Sequence, residues 1–305
     1  MQARLKRALA LALALALMAA LALTGSAKAC DCGEKRFFKT GDYSICYRVV
    51  PARGAEVGRV FFIHGMVSST IYWEELAGLF SRAGYMCAMI DLPGFGYSTR
   101  EAADVTPKDR EEIAAELMEL LAPGKAWIVA GHSMGGGVAL NMALLYPEKV
   151  ASLLLYAPAG GGGSMDGVPT ELAGFFMTLL LRPLLFMPPV VHVLAALANA
   201  DLCYGLRYDI GRIVDPLKLP GTVTSILYMA QRAMPVDLEA IGGIAAPILV
   251  IWGEKDYVIS ARMAEELGAA LPQAEIQTMR GGHMFAEQYA AEVYGRSTAF
   301  LDAIR

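Results

Sequence analysis

Histidine, cysteine and charge are all scarce in this chain. Its 305 residues include four histidines and five cysteines, and only 18% of side chains are charged. So few and so scattered His and Cys exclude a metal-cluster protein and a disulfide framework. Basic residues are not in excess either: 26 Lys and Arg stand against 30 Asp and Glu, a net charge of −4. Nothing is available to neutralise a run of phosphates, which excludes a nucleic-acid partner. A dinucleotide fingerprint is missing too, since Gly94-Phe95-Gly96 lacks the third glycine and a following helix. What is abundant is apolar: 55% hydrophobic residues, too many for a disordered chain and enough to fill the core of one large domain or two small ones.

The N-terminus holds part of that apolar excess. Arg4, Lys6 and Arg7 precede an apolar run over residues 8–23, followed by the small-x-small triplet Ala27-Lys28-Ala29. A basic segment, an apolar segment and an A-x-A site are the parts of a secretory signal peptide, here residues 1–29. The run is shorter than the ~20 residues of a spanning helix, which favours cleavage over a retained anchor; acylation at Cys30 is the third fate. Removal of residues 1–29 takes away Arg4, Lys6, Arg7 and Lys28 and no acid, leaving 22 basic against 30 acidic side chains, a net charge of −8. The expectation is an acidic, exported protein, periplasmic or extracellular, or membrane-anchored if the leader stays. Export permits disulfides, and Cys30 or Cys32 has a candidate partner in Cys46; Cys87 lies in an apolar run and reads as core.

Beyond the leader, short apolar runs alternate with helical spacing. Residues 42–50, 59–63, 85–91, 126–130, 150–156, 248–252 and 275–279 read as strands. Helices are expected over 74–83, from Thr106-Pro107-Lys108-Asp109 to about Leu121, and over 134–146, 260–270 and 288–304. Such alternation predicts an α/β fold, a mostly parallel sheet flanked by helices. The rhythm breaks at Gly160-Gly161-Gly162-Gly163 and resumes after residue 237. The domain reading is therefore a core of residues 30–159 and 238–305 with a helical insertion, a cap, over 160–237.

Gly131-His132-Ser133-Met134-Gly135 follows a strand and opens a helix. This is G-x-S-x-G in the context that sets a nucleophilic serine on a sharp strand-to-helix turn, where neighbouring side chains would clash. A serine hydroxyl needs a base to take its proton and a third group to orient that base. Of the four histidines, His283 sits on a loop after the last strand, behind Gly281-Gly282, where the chain order Ser, acid, His puts the base. His132 adjoins the serine with its side chain turned away, His192 lies in the insertion, and His64 ends a strand and reads as a brace for its loop. The acid belongs between residues 133 and 283 at the C-terminal end of a strand. Asp256 fits, just past residues 248–252, with Glu254 as second choice. Asp256 also suits the role of a cap for the next helix.

Five motifs, His64-Gly65, Asp91-Leu92-Pro93-Gly94-Phe95-Gly96-Tyr97-Ser98, Gly131-His132-Ser133-Met134-Gly135-Gly136, Gly253-Glu254-Lys255-Asp256 and Gly281-Gly282-His283, stand in order over residues 58–285. In this the sequence resembles the α/β-hydrolase superfamily, its lipase- and esterase-like branch with a helical cap. The resemblance implies Ser133 as nucleophile, His283 as general base and acid, Asp256 as orienting carboxylate, and the main-chain N–H groups of Met66 and Met134 as oxyanion hole. Met66 stands where members carry more glycines after the His-Gly, and its side chain narrows the acyl site. Asp91 ends a strand, but Ser133 holds the elbow, which argues against a nucleophilic aspartate.

The insertion is rich in apolar side chains, from Phe175 to Met187, broken by Pro183, Pro188 and Pro189. They read either as packing of the cap or as a tunnel for an acyl chain, with a lid face or the leader meeting a membrane surface peripherally. Arg182 and Arg207 are the weak candidates for an anionic group on a substrate. The expected activity is cleavage of carboxylic esters with an apolar acyl or alcohol part, without a cofactor. Amide or carbon–carbon bond hydrolysis by the same triad, and a non-catalytic role in binding an apolar ligand, are the alternatives.

Overall fold

Near-continuous apolar strands imply a sheet covered on both faces, and the chain forms an eight-stranded sheet in the order β1-β2-β4-β3-β5-β6-β7-β8. The computed structural model describes residues 33–102, 104–160, 187–222, 224–226, 228, 235–259 and 261–305. The leader, Cys30 and Cys32, Arg182 and the apolar stretch from Phe175 lie outside the described residues. The strands are β1 (Arg36–Thr40), β2 (Tyr43–Val50), β3 (Gly58–Ile63), β4 (Tyr85–Ile90), β5 (Trp127–His132), β6 (Val150–Tyr156), β7 (Ile248–Gly253) and β8 (Glu275–Met279). From β4 to β8 across the sheet every pairing is parallel, while β2 joins β1 and β4 antiparallel. Residues 60–63 of β3 and 248–251 of β7 are buried throughout.

Helices α1 (Glu74–Arg82), α2 (Arg110–Leu121) and α3 (Met134–Leu145) connect the central strands. The step from β3 to β4 runs one way across the sheet and that from β4 to β5 the other. Right-handed crossovers therefore place α1 and α2 on opposite faces; α2 packs on α3, and α1 on the C-terminal helix Ala290–Ala303. Between β6 and β7 the chain leaves the sheet and forms helices α4 (Pro188–Asn199), α5 (Leu202–Arg207) and α6 (Gly211–Leu217). Then follow α7 (Ala261–Ala270), α8 (Phe285–Gln288) and α9 (Ala290–Ala303).

Two local expectations need correction. Strand β1 is an addition: it pairs with β2 across the two-residue turn Gly41-Asp42, with Gly41 at φ 55°, the conformation that a hairpin turn asks of glycine. Helix α2 starts at Arg110 rather than at Pro107. Asp109 is extended, with φ −66° and ψ 141°, so the first helical turn begins only after it, while the Thr106 N–H is held by Asp42 Oδ2 at 3.0 Å and Arg110 by Glu101 at 2.5 Å. Cys46 is buried in β2 and a free thiol among the described residues, its candidate partners Cys30 and Cys32 lying outside them. No helix among the described residues is long and apolar enough to cross a membrane.

Candidate active site

The loops that follow β3, β5, β6, β7 and β8 meet at one edge of the sheet, where open α/β sheets place their ligands. Ser133 occupies the turn from β5 into α3 with φ 52° and ψ −122°, outside the regions L-residues normally adopt. Its peptide is pinned to hold that shape: the Ser133 N–H donates to Tyr156 O at 3.1 Å, and its oxygen accepts from Gly136 N at 2.9 Å and Ala159 N at 2.8 Å. A Cβ on Gly131 would lie 2.4 Å from Gly135 O, and one on Gly135 2.2 Å from Ile63 O. Both motif glycines are thus required by close backbone approach. The other non-glycine residues at positive φ among the described residues are Val67, Ala157 and Ala200; with Ser133 they fall on the loops after β3, β5 and β6 and at the end of α4. Strained backbone gathers where geometry has to be held for function.

His283 lies on the loop after β8 and Asp256 on the loop after β7, and they meet: His283 Nδ1 is 2.8 Å from Asp256 Oδ2, with the side chains only 7% and 5% exposed. A carboxylate oxygen accepts, so Nδ1 carries the proton and Nε2 is left as the basic nitrogen. The other Asp256 oxygen, Oδ1, accepts from the Val258 and Ile259 N–H groups, each at 2.9 Å. One carboxylate therefore both orients the histidine and caps the turn before α7. Glu254, the second choice, is exposed, its N–H spent on Met279 O. Met134 opens α3, and Met66 follows Gly65 with its side chain 53% exposed. Among the described residues neither methionine N–H is spent on another acceptor. An N–H at a helix start carries partial positive charge.

His64 and His192 are tied into the fold by main-chain contacts. His64 is buried, bonded to Gly65 O at 2.6 Å and accepting from Leu92 N at 3.0 Å; burial holds its imidazole below the usual range. His192 ties α4 to α5 through Gly205 O at 2.9 Å. Asp91 is buried and accepts from Thr70 N at 2.6 Å and Tyr97 N at 2.9 Å, holding two loops together. His132 is less remote than its place in the strand suggests: its ring centroid is 4.6 Å from that of His283.

A polar cluster that sequence reasoning missed joins the core to the cap. Glu287, one turn beyond His283, accepts from Tyr208 Oη at 3.0 and 3.2 Å and lies 3.5 Å from Arg212. Burial, only partly offset by Arg212, pushes its carboxyl up to about 7. Arg212 also bonds Ile71 O at 2.7 Å and Glu74 Oε2 at 3.1 Å. No motif marks these residues, because the pairing exists only once the cap is folded back. A cleft between core and cap is lined by Val67, Ser68, Phe95, Arg100, Arg212 and Leu217, among others.

The family described as serine aminopeptidase, S33, matches residues 54–284, about three quarters of the chain. The chain belongs to this family of α/β-hydrolases. Proteins similar to this chain differ in what their names say they do. A dihydrolipoyllysine-residue acetyltransferase component of an acetoin cleaving system from Cupriavidus necator is 31% identical over 243 residues, 76% of this chain. The chain spans only 60% of that relative's length. A 2-hydroxy-6-oxononadienedioate/2-hydroxy-6-oxononatrienedioate hydrolase from Comamonas testosteroni is 30% identical over 261 residues, covering 78% of this chain and 85% of that one. In structure, a bacterial membrane phospholipase A superposes with a TM-score of 0.70 over 100% of this chain and 99% of its own, at 23% identity, a likeness of fold.

Proposed function

We propose that this α/β-hydrolase is an exported serine esterase that cleaves carboxylic esters with an apolar acyl or alcohol part, a small ester or a lipid. The observation that carries the reading is the 2.8 Å His283–Asp256 bond, with the His283 ring 4.6 Å from that of His132, the residue before the strained Ser133 elbow. Ser133 Oγ attacks the ester carbonyl carbon as its proton passes to His283 Nε2. The carbonyl π pair moves onto oxygen, facing the N–H groups of Met66 and Met134. The C–O bond to the alcohol then breaks, and His283 returns the proton to the departing oxygen, leaving acyl-Ser133. Water, losing its proton to the same nitrogen, hydrolyses the acyl-enzyme and restores the serine. Asp256 stabilises the imidazolium at both stages.

Carbon–carbon bond hydrolysis is the second reading, favoured by the identity with the Comamonas hydrolase. Against it, the arginines of the cleft have other partners. Arg100 donates to Thr222 Oγ1 and to the oxygens of Phe95, Gly96, Ser98 and Pro216, and Arg212 is taken by Glu74 and Glu287.

Hydrolysis of p-nitrophenyl esters from short to long chain, with Ser133→Ala alongside, tests the reading. A rate that the variant loses by at least ~10³-fold, with an optimum chain length, supports it. No turnover and no labelling by a fluorophosphonate points to a binding role. Labelling without ester turnover directs the search to the carbon–carbon substrates.

A further inference from the structure

His283 sits on an irregular loop, and nothing in a loop fixes a base to within the tolerance that proton transfer demands. Its main chain is gripped from two sides. The His283 N–H donates to Ala198 O at 2.6 Å and the Gly282 N–H to Asn199 O at 3.1 Å, both at the C-terminal turn of α4 in the cap. The fit is tight: a Cβ on Gly282 would lie 2.4 Å from Ala198 O. On the other side, the His283 carbonyl oxygen is 2.9 Å from His132 Nε2. A carbonyl cannot donate, so the proton of this bond belongs to His132.

The His132 ring is fixed in turn. It is 2% exposed, stacks on Tyr72 with centroids 4.6 Å apart and planes at 27°, and meets the edge of Trp73 at 6.5 Å. Its other nitrogen, Nδ1, is buried, has no hydrogen-bond partner among the described residues, and lies against Gly65, where a Cβ would come within 2.8 Å. A bare buried nitrogen is a liability that an apolar side chain of the same shape would not carry. What the imidazole supplies in exchange is its one donated bond. Burial, and after it the charge of a neighbouring His283, hold His132 well below the usual histidine range. It therefore stays neutral while the ring 4.6 Å away gains and loses a proton.

We propose that His132 is a positioning residue for the base: through Nε2–H it holds the His283 main chain on the core side while the end of α4 holds it on the cap side. This rests on the reading of His283 as general base. It also gives the cap a task besides enclosing substrate, because the base is set between an elbow residue and a cap helix.

The test compares kcat and KM for a p-nitrophenyl ester in His132→Leu, His132→Gln and His132→Asn, with rates expressed per serine labelled at the fluorophosphonate end point, so that only folded sites count. Leu removes the donor; the Gln amide reaches the position of Nε2, and the shorter Asn amide does not. The expected result is a kcat lowered roughly 10- to 100-fold in Leu at nearly unchanged KM, largely restored in Gln and not in Asn. Wild-type kcat in Leu, or equal loss in Leu and Gln, overturns the proposal. Should Leu yield no labelled serine, equal rates in Gln and Asn overturn it. His283→Ala, run in parallel, separates the two ideas: full turnover there sinks the base itself, whereas a dead His283→Ala beside an unimpaired Leu variant sinks only the positioning role.

Discussion

Asp256 uses its two oxygens for different work, and that division makes its substitution informative. Oδ1 accepts two main-chain N–H groups and Oδ2 faces His283 Nδ1. In Asp256→Asn the amide oxygen keeps the turn by remaining at the Oδ1 position, which presents the NH2 group to Nδ1. His283 is then forced to carry its proton on Nε2, the nitrogen that has to accept from Ser133. The expected outcome is a folded protein with kcat down by about 10⁴-fold and KM little changed, while Glu254→Gln leaves kcat intact. Equal losses in the two variants on the same ester would remove Asp256 from its role. Both acids follow β7, so their order alone left the choice open. Position favours Asp256, whose Oδ2 lies 2.8 Å from His283 Nδ1, whereas Glu254 is exposed. The pairing of His283 with Asp256 was legible because flanking glycines and chain position single this histidine out of the four. The contact of His132 was not, because it reaches a main-chain atom 151 residues away.

At the scale of elements, the parallel strands were legible because burial on both faces writes itself as an unbroken apolar run. Strand β1 was not, since its outward residues are exposed, Phe37 among them; the signal that would have found it is the Gly41-Asp42 turn. The start of α2 was misplaced because a capping pattern is a local preference, and the extended backbone of Asp109 puts the first turn after it. The elbow is the element most tightly specified by sterics. Gly135→Ala sets a Cβ 2.2 Å from Ile63 O, a backbone atom of the central strand that cannot give way. A loss of about 1–3 kcal/mol or more is expected in urea unfolding. Gly295, within α9, is the counterpart, with nothing within 4 Å of its added Cβ. There Gly295→Ala should stabilise the protein by about 0.5–1 kcal/mol, because alanine loses less chain entropy in a helix. Opposite signs for the two substitutions are the expected result; a stabilising Gly135→Ala would contradict the close approach at the elbow.

Across the whole molecule, the described part of the cap is joined to the core by part-buried polar contacts centred on buried Glu287. Glu287 of α8 meets Tyr208 and Arg212 of the cap, and Gln288 Nε2 donates to Asp201 Oδ2 at 3.0 Å. The groups that face Glu287 are Arg212, Tyr208, Tyr204, Tyr72, Glu74 and Glu75. Burial outweighs the pull of the single arginine, so the native carboxyl titrates at about 7 against 4.5 for an ordinary glutamate. The folded state thus binds this proton more tightly than the unfolded chain does. The stability Glu287 contributes is fully present below pH 4.5 and is lost as the pH rises through 7. His132 acts with the opposite sign: its imidazole is held low, so its contribution is lost as the pH falls below 6.5. The two slopes overlap in the measured profile, and a difference separates them. Subtracting the urea-unfolding free energies of Glu287→Gln from those of the wild type, pH by pH, cancels the His132 slope. The remainder should fall between pH 4.5 and 7 and level off above, with the variant gaining relative to the wild type at pH 8. A flat difference, with the variant weaker than the wild type at pH 8, would mean that Arg212 outweighs burial and that the cap is docked by an ion pair.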